Sequence, residues 1–349
     1  MNGLSRVVGV WLTLAAGIAV AGGHVDTHVH LDQAVPGGFS TAGFGVAAEQ
    51  AIAEMDRLGI AWSVLLPTPQ AAGRRFYYDY EELLPVVRRY PDRFAFLGGG
   101  GSLNVMIQEA VAAGRTDEAL RARFRKRAEA IIAAGAAGFG EMAALHFGFA
   151  NFHANHPYLY APPDHELLLL LADIAAAHGL VIDLHMEAVP QEMPLPAIPI
   201  LKSPPNPSML SPNLAAFERL LAHNRGARIV WVHCGWDWLG TRTVARTREL
   251  LARHPNLYLS LEAVFPRPVF NRPLDAEGRL KEEWVALIAE FPDRFMIGSD
   301  EFYRTTDLGR RRAGSLLEPT VSIVEQLPAE LARRVGHENA QRLYRRSTP

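Results

Sequence analysis

The chain has 349 residues, 49% of them apolar and 21% charged, enough for a sizeable core and too apolar for wholesale disorder. Its 35 basic and 37 acidic residues leave a formal charge of −2. No basic stripe is visible, which argues against nucleic acid as a partner, because phosphate contacts supply most of that affinity. The single cysteine, Cys234, permits no intrachain disulfide and says nothing about the compartment.

At the N-terminus, Arg6 is followed by an apolar run over 7–20 that closes on Ala19-Val20-Ala21 before Gly22-Gly23. A charged start, an apolar stretch of this length and small residues in an A-x-A pattern describe a secretory signal peptide. This sets residues 1–21 apart from a domain over 22–349 and predicts a periplasmic or secreted protein. The alternative is a cytoplasmic protein with a long lead into its first strand. The run is short of the roughly 20 apolar residues a spanning helix needs, so no stable membrane anchor is expected after cleavage.

From residue 24 onward, short apolar runs alternate with amphipathic stretches, the pattern of parallel βα units. Strands are predicted at 24–29, 62–66, 94–98, 137–142, 181–185, 229–233, 257–261 and 295–298. Helices are predicted at 46–58, 81–89, 117–134, 166–178, 214–223, 241–253 and 282–290, with closing helices near 316–326 and 329–344. Eight strands, each followed by a helix, point to a single α/β domain, a closed (β/α)8 TIM barrel, which typically takes about 250 residues. An open doubly wound sheet would carry a glycine fingerprint at its first strand–helix turn; this turn reads His28-Val29-His30-Leu31-Asp32. The glycine run 98–101 reads first as tight turns, and second as an anion cradle. The basic runs 121–127 and 310–312 read as solvated helix faces.

Two connections, 146–165 and 188–213, are unusually long. The first is rich in aromatics, the second in prolines. Both follow strands, the fourth and the fifth, so both belong to the C-terminal rim where barrel active sites are built. A pocket wall and lid is the expectation.

The ionisable residues fall where that rim lies. His28 and His30 end the first strand, Glu141 the fourth, His185 the fifth and His233 the sixth, and Asp300 follows the eighth. Residues two apart on a strand share a face, so His28 and His30 can reach one ion together. Each residue alone has a plainer explanation, as a core histidine or a helix cap. Together they would bury several polar groups at one mouth, and burial without partners costs free energy. A divalent cation satisfies them jointly; imidazole plus carboxylate suits zinc, and also manganese, iron or nickel.

These pieces resemble the amidohydrolase superfamily, especially its branch of amidohydrolase-related decarboxylases and hydrolases. The matching segments are Asp26-Thr27-His28-Val29-His30, Gly140-Glu141, His185, Trp231-Val232-His233-Cys234-Gly235 and Gly298-Ser299-Asp300. Flanking pieces at 254–259 and 338–344 also fit, so the likeness covers about residues 24–346. The resemblance implies that His28, His30 and Asp300 hold the more buried metal. His185 would bind that ion in a one-metal site, or a second ion with His233 in a two-metal site. Two-metal relatives bridge their ions with a carbamylated lysine or a glutamate. None of the three lysines here, Lys126, Lys202 and Lys281, ends a strand, which leaves Glu141 as the bridge; its other reading is a support for a ligand histidine.

The expected function is metal-dependent hydrolysis. A bound divalent cation lowers the pKa of its water to about 7, making hydroxide available to attack an ester, lactone, amide or phosphoester. Asp300 would act as general base and then acid, and His233, if not a ligand, would polarise the substrate. The alternatives are nonoxidative decarboxylation or hydration of an unsaturated or aromatic acid, and a noncatalytic metal- or ligand-binding barrel. The partner in each case is a small molecule; a homo-oligomer is compatible with the sequence. Arg74, Arg75 and Arg304, each after a strand, are candidates to pair with a substrate carboxylate or phosphate. Glu187 and Glu262 offer substrate contact or loop support.

Overall fold

The computed structural model describes residues 23–31, 34–35, 38–39, 41–73, 78–149, 156–202, 206–263, 269–303 and 315–344. The apolar run 7–20, Arg74, Arg75, Arg304 and the basic run 310–312 lie outside the described residues. Eight parallel strands form the barrel: β1 His24–Leu31, β2 Ile60–Leu65, β3 Phe94–Gly99, β4 Gly138–His146, β5 Val181–Met186, β6 Arg228–Cys234, β7 Leu257–Leu261 and β8 Phe295–Ile297. Neighbours in sequence are neighbours in the sheet, and pairing of Asp26 in β1 with Ile297 in β8 closes the ring. Outside it run α1 Phe44–Arg57, α2 Tyr80–Arg89, α3 Leu103–Ala113, α4 Glu118–Ala133, α5 Glu166–His178, α6 Leu214–His223, α7 Val244–Arg253, α8 Glu282–Glu290 and α9 Leu317–Glu325. The predicted closing helix 329–344 is α10 Ala329–Arg333 and α11 Asn339–Leu343 joined by a π turn, Arg334–Glu338.

Strand alternation separates two apolar layers. In β5, Ile182, Leu184 and Met186 join the large cluster between strands and helices, while Val181 joins a smaller cluster with Val64, Leu97, Val230, Val232 and Met296. Leu343 and Tyr344 at the C-terminal end of the last helix pack against that smaller cluster. Among the described residues, no helix is long and apolar enough to cross a membrane.

Departures from the predicted elements have physical causes. The helix α3 escaped periodicity because its sequence, LNVMIQEAVAA, is apolar on most of its circumference, and Leu103, Val105, Ile107 and Ala110 are all buried. The strand β4 runs on past 142 to His146, where Leu159–Tyr160 folds back antiparallel on it. A second small hairpin, Met193–Pro194 with Met209–Leu210, orders part of the connection after β5. The glycine run after β3 is explained by packing: a Cβ on Gly101 would lie 1.7 Å from the Tyr78 carbonyl oxygen, so only glycine lets the β2–α2 connection pass.

Candidate metal centre

At the C-terminal mouth, the histidines and acids named from the sequence converge. His28 and His30 in β1 are wholly buried. Their Nε2 atoms face each other at 3.1 Å, and each Nδ1 faces an acceptor, Asp183 Oδ2 at 3.2 Å for His28 and the Leu66 carbonyl at 2.8 Å for His30. A carbonyl only accepts, so His30 donates through Nδ1 and turns the lone pair of Nε2 toward its neighbour. Two imidazole lone pairs at that separation repel unless positive charge lies beside them.

Glu141 stands between two groups of imidazoles. Its Oε2 lies 3.7 Å from His28 Nε2 and 3.4 Å from His30 Nε2. Its Oε1 accepts from His185 Nδ1 at 2.8 Å and lies 3.2 Å from His233 Nε2. Asp300 Oδ1 is 3.6 Å from His28 Nε2 and 3.2 Å from His30 Nε2. Three overlapping trios result: His28, His30 and Glu141; His28, His233 and Asp300; Glu141, His185 and His233. Within each, the ligand atoms lie no more than 4.8 Å apart.

The backbone is built to hold these positions. His233 (φ 56°) and Asp300 (φ 53°) both adopt left-handed conformations, which cost non-glycine residues about 1–3 kcal/mol and persist only where the surroundings over-determine them. For His233 those surroundings are the buried Arg242. Its guanidinium donates to the carbonyls of Trp231 (2.9 Å), Val232 (2.6 Å) and His233 (3.1 Å) and stacks on the Trp231 ring. Asp300 N–H donates to the His28 carbonyl at 3.0 Å. Beneath it, Asp26 accepts from Ser299 N–H (2.9 Å) and Oγ (2.5 Å), stitching β1 to the end of β8.

The electrostatics suit a cation. Burial opposes charge on His28, yet Asp183 and Glu141 hold its imidazole well above the ordinary range. Burial is likewise outweighed at His30, pushed up to about 9 by Asp300 and Glu141, and at His233, pushed up to about 10 by Asp300, Glu141 and Glu262. Against its own burial, Glu141 is held well below the carboxylate range by the surrounding imidazoles. The protein's own groups thus draw protons onto these nitrogens, whose arrangement could instead hold a divalent cation. The donor set, imidazole nitrogens and carboxylate oxygens, fits a divalent transition metal.

Of the remaining sequence candidates, Glu187 lines the pocket above the cluster, and burial followed by the like charge of Asp237 pushes its carboxyl up to about 8. Glu262 is not in that lining; it is fully buried behind His233 and accepts from its Nδ1 at 3.0 Å. The pocket is walled by Phe147, Phe149, Trp236 and Trp238, with His156 beside them.

Sequence reasoning passed over several of these residues. Asp183 was detectable as an acid inside the apolar strand Val-Ile-Asp-Leu-His, two residues before His185 and hence on its face. Nothing in the sequence singled out His156. Its ring stacks on Phe149 (centroids 4.0 Å apart) and on His146 (4.2 Å) only because the connection after β4 folds back.

A model of the amidohydrolase family matches residues 25–346. No curated protein matches the chain. Among solved structures, a mutant organophosphorus hydrolase is 16% identical, with 94% of each chain covered and a TM-score of 0.51. Dihydroorotase from Saccharomyces cerevisiae, in complex with 5-fluoroorotic acid, is 13% identical, with 93% of this chain and 84% of that one covered and a TM-score of 0.50. A 4-oxalomesaconate hydratase from Rhodopseudomonas palustris is 12% identical, with 93% and 98% covered and a TM-score of 0.48. At such identities the likeness to the first two is one of fold, the closed barrel of alternating strands and helices. With nearly its whole length inside the family match and its histidines and acids gathered at one barrel mouth, the chain belongs to the amidohydrolase family.

Proposed function

We propose that the protein is a two-metal hydrolase acting on an ester, lactone, amide or phosphoester. The observation that carries this reading is the division of the Glu141 carboxylate, one oxygen toward His28 and His30 and the other toward His185 and His233. A carboxylate that supports a single histidine has no need of this arrangement; one that bridges two ions does. His28, His30 and Asp300 would hold the inner ion and His185 and His233 the outer one, with zinc the first choice of metal. Bound cations would supply a water acidified toward neutrality and an electrophile for the carbonyl or phosphoryl oxygen.

Asp300 lines the pocket, and its carboxyl, despite burial, is held below the ordinary range by His233 and His30. It is therefore ionised, able to take a proton from the attacking water and return it to the leaving group. Glu262 fixes the His233 ring from behind, and aromatic side chains wall the pocket.

A second reading rests on the His233–Glu262 contact at 3.0 Å. That pair is also an acid–base dyad, as a one-metal decarboxylase or hydratase would use. Elemental analysis of the purified, metal-loaded protein separates the two. Close to two ions per chain, falling to one in Glu141→Ala, with turnover on an ester, lactone and phosphotriester panel, supports hydrolysis. One ion per chain, with carbon dioxide release or hydration of an unsaturated acid, sinks it.

A further inference from the structure

The loop that follows β6 closes on the side chain of Asp237, which is buried. Its Oδ1 accepts from the N–H groups of Leu239 (3.0 Å) and Gly240 (2.9 Å), and its Oδ2 from the N–H of Arg242 (2.9 Å). A further donor arrives from a different element. Asn271, in the connection between β7 and α8, places its Nδ2 2.5 Å from Oδ2. The main chains meet at the same place, where Phe270 N–H donates to the Asp237 carbonyl at 2.7 Å.

Asp237 sits between the two tryptophans that wall the pocket, Trp236 and Trp238. Their rings meet edge-on at 5.6 Å. Toward β5 the loop is held by Thr241 Oγ1, which donates to the Ala188 carbonyl at 2.5 Å; toward β7 it is held through Asn271. Among the described residues, Asn271 (φ 51°) shares a left-handed backbone with only two others that are not glycine, His233 and Asp300 of the cluster. Asparagine and aspartate enter that region more readily than most residues, and glycine does so most freely. The backbone alone would therefore be served by glycine. The hydrogen bond to Asp237 requires a donor, which asparagine supplies.

We propose that Asn271 is a positioning residue: its amide latches the loop after β6 to the connection after β7 and so holds the Trp236–Trp238 wall at the mouth of the metal cluster. It acts through Asp237, whose two chain neighbours carry the rings. The latch stands on the geometry of the two loops, and its effect on turnover rests on the hydrolysis proposed above.

Glycine and aspartate both accept the left-handed backbone, so Asn271→Gly and Asn271→Asp remove the donor without straining the turn. In Asn271→Asp the new carboxylate also faces that of Asp237, and like charges repel. The full, zinc-loaded chain is read in two ways. Acrylamide quenching of tryptophan fluorescence should rise roughly twofold in Asn271→Gly as the wall opens locally, and further in Asn271→Asp. The rise should vanish in a Trp236→Phe, Trp238→Phe background. With 4-nitrophenyl acetate as the probe, KM should rise roughly threefold in Asn271→Gly with kcat nearly unchanged. A residue kept only for its turn predicts that Asn271→Gly matches the wild-type chain in quenching, and that result overturns the proposal. So does a rise that survives the loss of both rings. An unmoved KM in an active enzyme overturns it equally, since a wall that does not bear on substrate positions nothing. If Asn271→Asp does not fold, Asn271→Gly decides. The two readings fail separately. Ester turnover with unchanged quenching keeps hydrolysis and removes the latch. Raised quenching in a chain inert on every ester keeps the latch and removes hydrolysis.

Discussion

The two pairs of histidines around Glu141 are held in different ways. His28 and His30 come from one strand, are wholly buried, and have each Nδ1 engaged by a group outside the cluster, Asp183 and the Leu66 carbonyl. His185 and His233 come from two strands. His185 spends its Nδ1 on Glu141 itself with its side chain 16% exposed, and His233 leans on Glu262 from a left-handed backbone. The inner pair is oriented by the barrel; the outer pair is oriented partly by the carboxylate it shares. An inner ion should therefore bind more tightly than an outer one, because less ordering is left to do on binding.

The largest effect should come from the ligands themselves. His30→Ala is expected to strip the inner ion and, through the freed Glu141, to weaken the outer, leaving less than one ion per chain and no measurable activity. His185→Ala should lose the outer ion and keep the inner. Elemental analysis after dialysis against a mild chelator reads both, and equal losses in the two variants would end the distinction between the pairs.

The supports behind each pair sharpen the same contrast at a lower level. Asp183→Asn keeps an oxygen able to accept from His28 but removes the charge, and Glu262→Gln does the same behind His233. Each should weaken one ion by about 10–100-fold, the inner for Asp183 and the outer for Glu262. Competition with a fluorescent chelator distinguishes the two phases.

The pH dependence separates the pairs again. In the metal-free chain, His30 is raised to about 9 and His233 to about 10, from an ordinary 6.5. Because the folded values are the higher ones, the stability these groups contribute is complete below about 6.5 and is lost as pH rises through 9 and then 10. The Tm of the metal-free protein should fall across that window. Metal loading must displace the same protons, so apparent affinity should rise with pH and proton release should be measurable at pH 7 in weak buffer. A flat Tm between pH 6.5 and 10 would contradict the protonation assigned to the cluster.

How much of this was readable beforehand follows the same division between barrel and rim. The strands are legible as short apolar runs, and the candidate ligands because imidazoles and carboxylates recur at or just after the ends of the first, fourth, fifth, sixth and eighth predicted strands. Glu141, expected at the end of the fourth strand, lies inside β4, because the strand continues four residues beyond the apolar stretch that marks it. The connection after the fourth strand is legible as a pocket wall from its aromatics, but Trp236 and Trp238, which complete the wall, are not. Which rings stack depends on long-range returns of the chain, such as the Asn206 side chain gripping Gly148 at both its N–H and its carbonyl (2.8 Å each), and no local pattern encodes that. Glu262 illustrates a third case: its position at a strand end is legible, but its contact with the back of His233 is made across two strands and no local pattern encodes it.

The smallest effect tests whether packing beneath the inner pair matters to metal binding. A Cβ on Gly298 would lie 2.9 Å from Ser260 Oγ and 3.0 Å from His28 Cβ, closer than side-chain carbons normally approach. Gly298→Ala should therefore cost about 1–3 kcal/mol through overpacking, seen as a lower Tm. Since the displaced neighbour is His28, it should also weaken the inner ion more than the outer. Gly45 in α1 has open space around its Cα, and Gly45→Ala should be neutral or stabilising by up to about 1 kcal/mol. A Gly298→Ala variant with lowered Tm but unchanged affinity for both ions would mean that His28 is held by Asp183 alone, and that the glycine serves the barrel and not the metal.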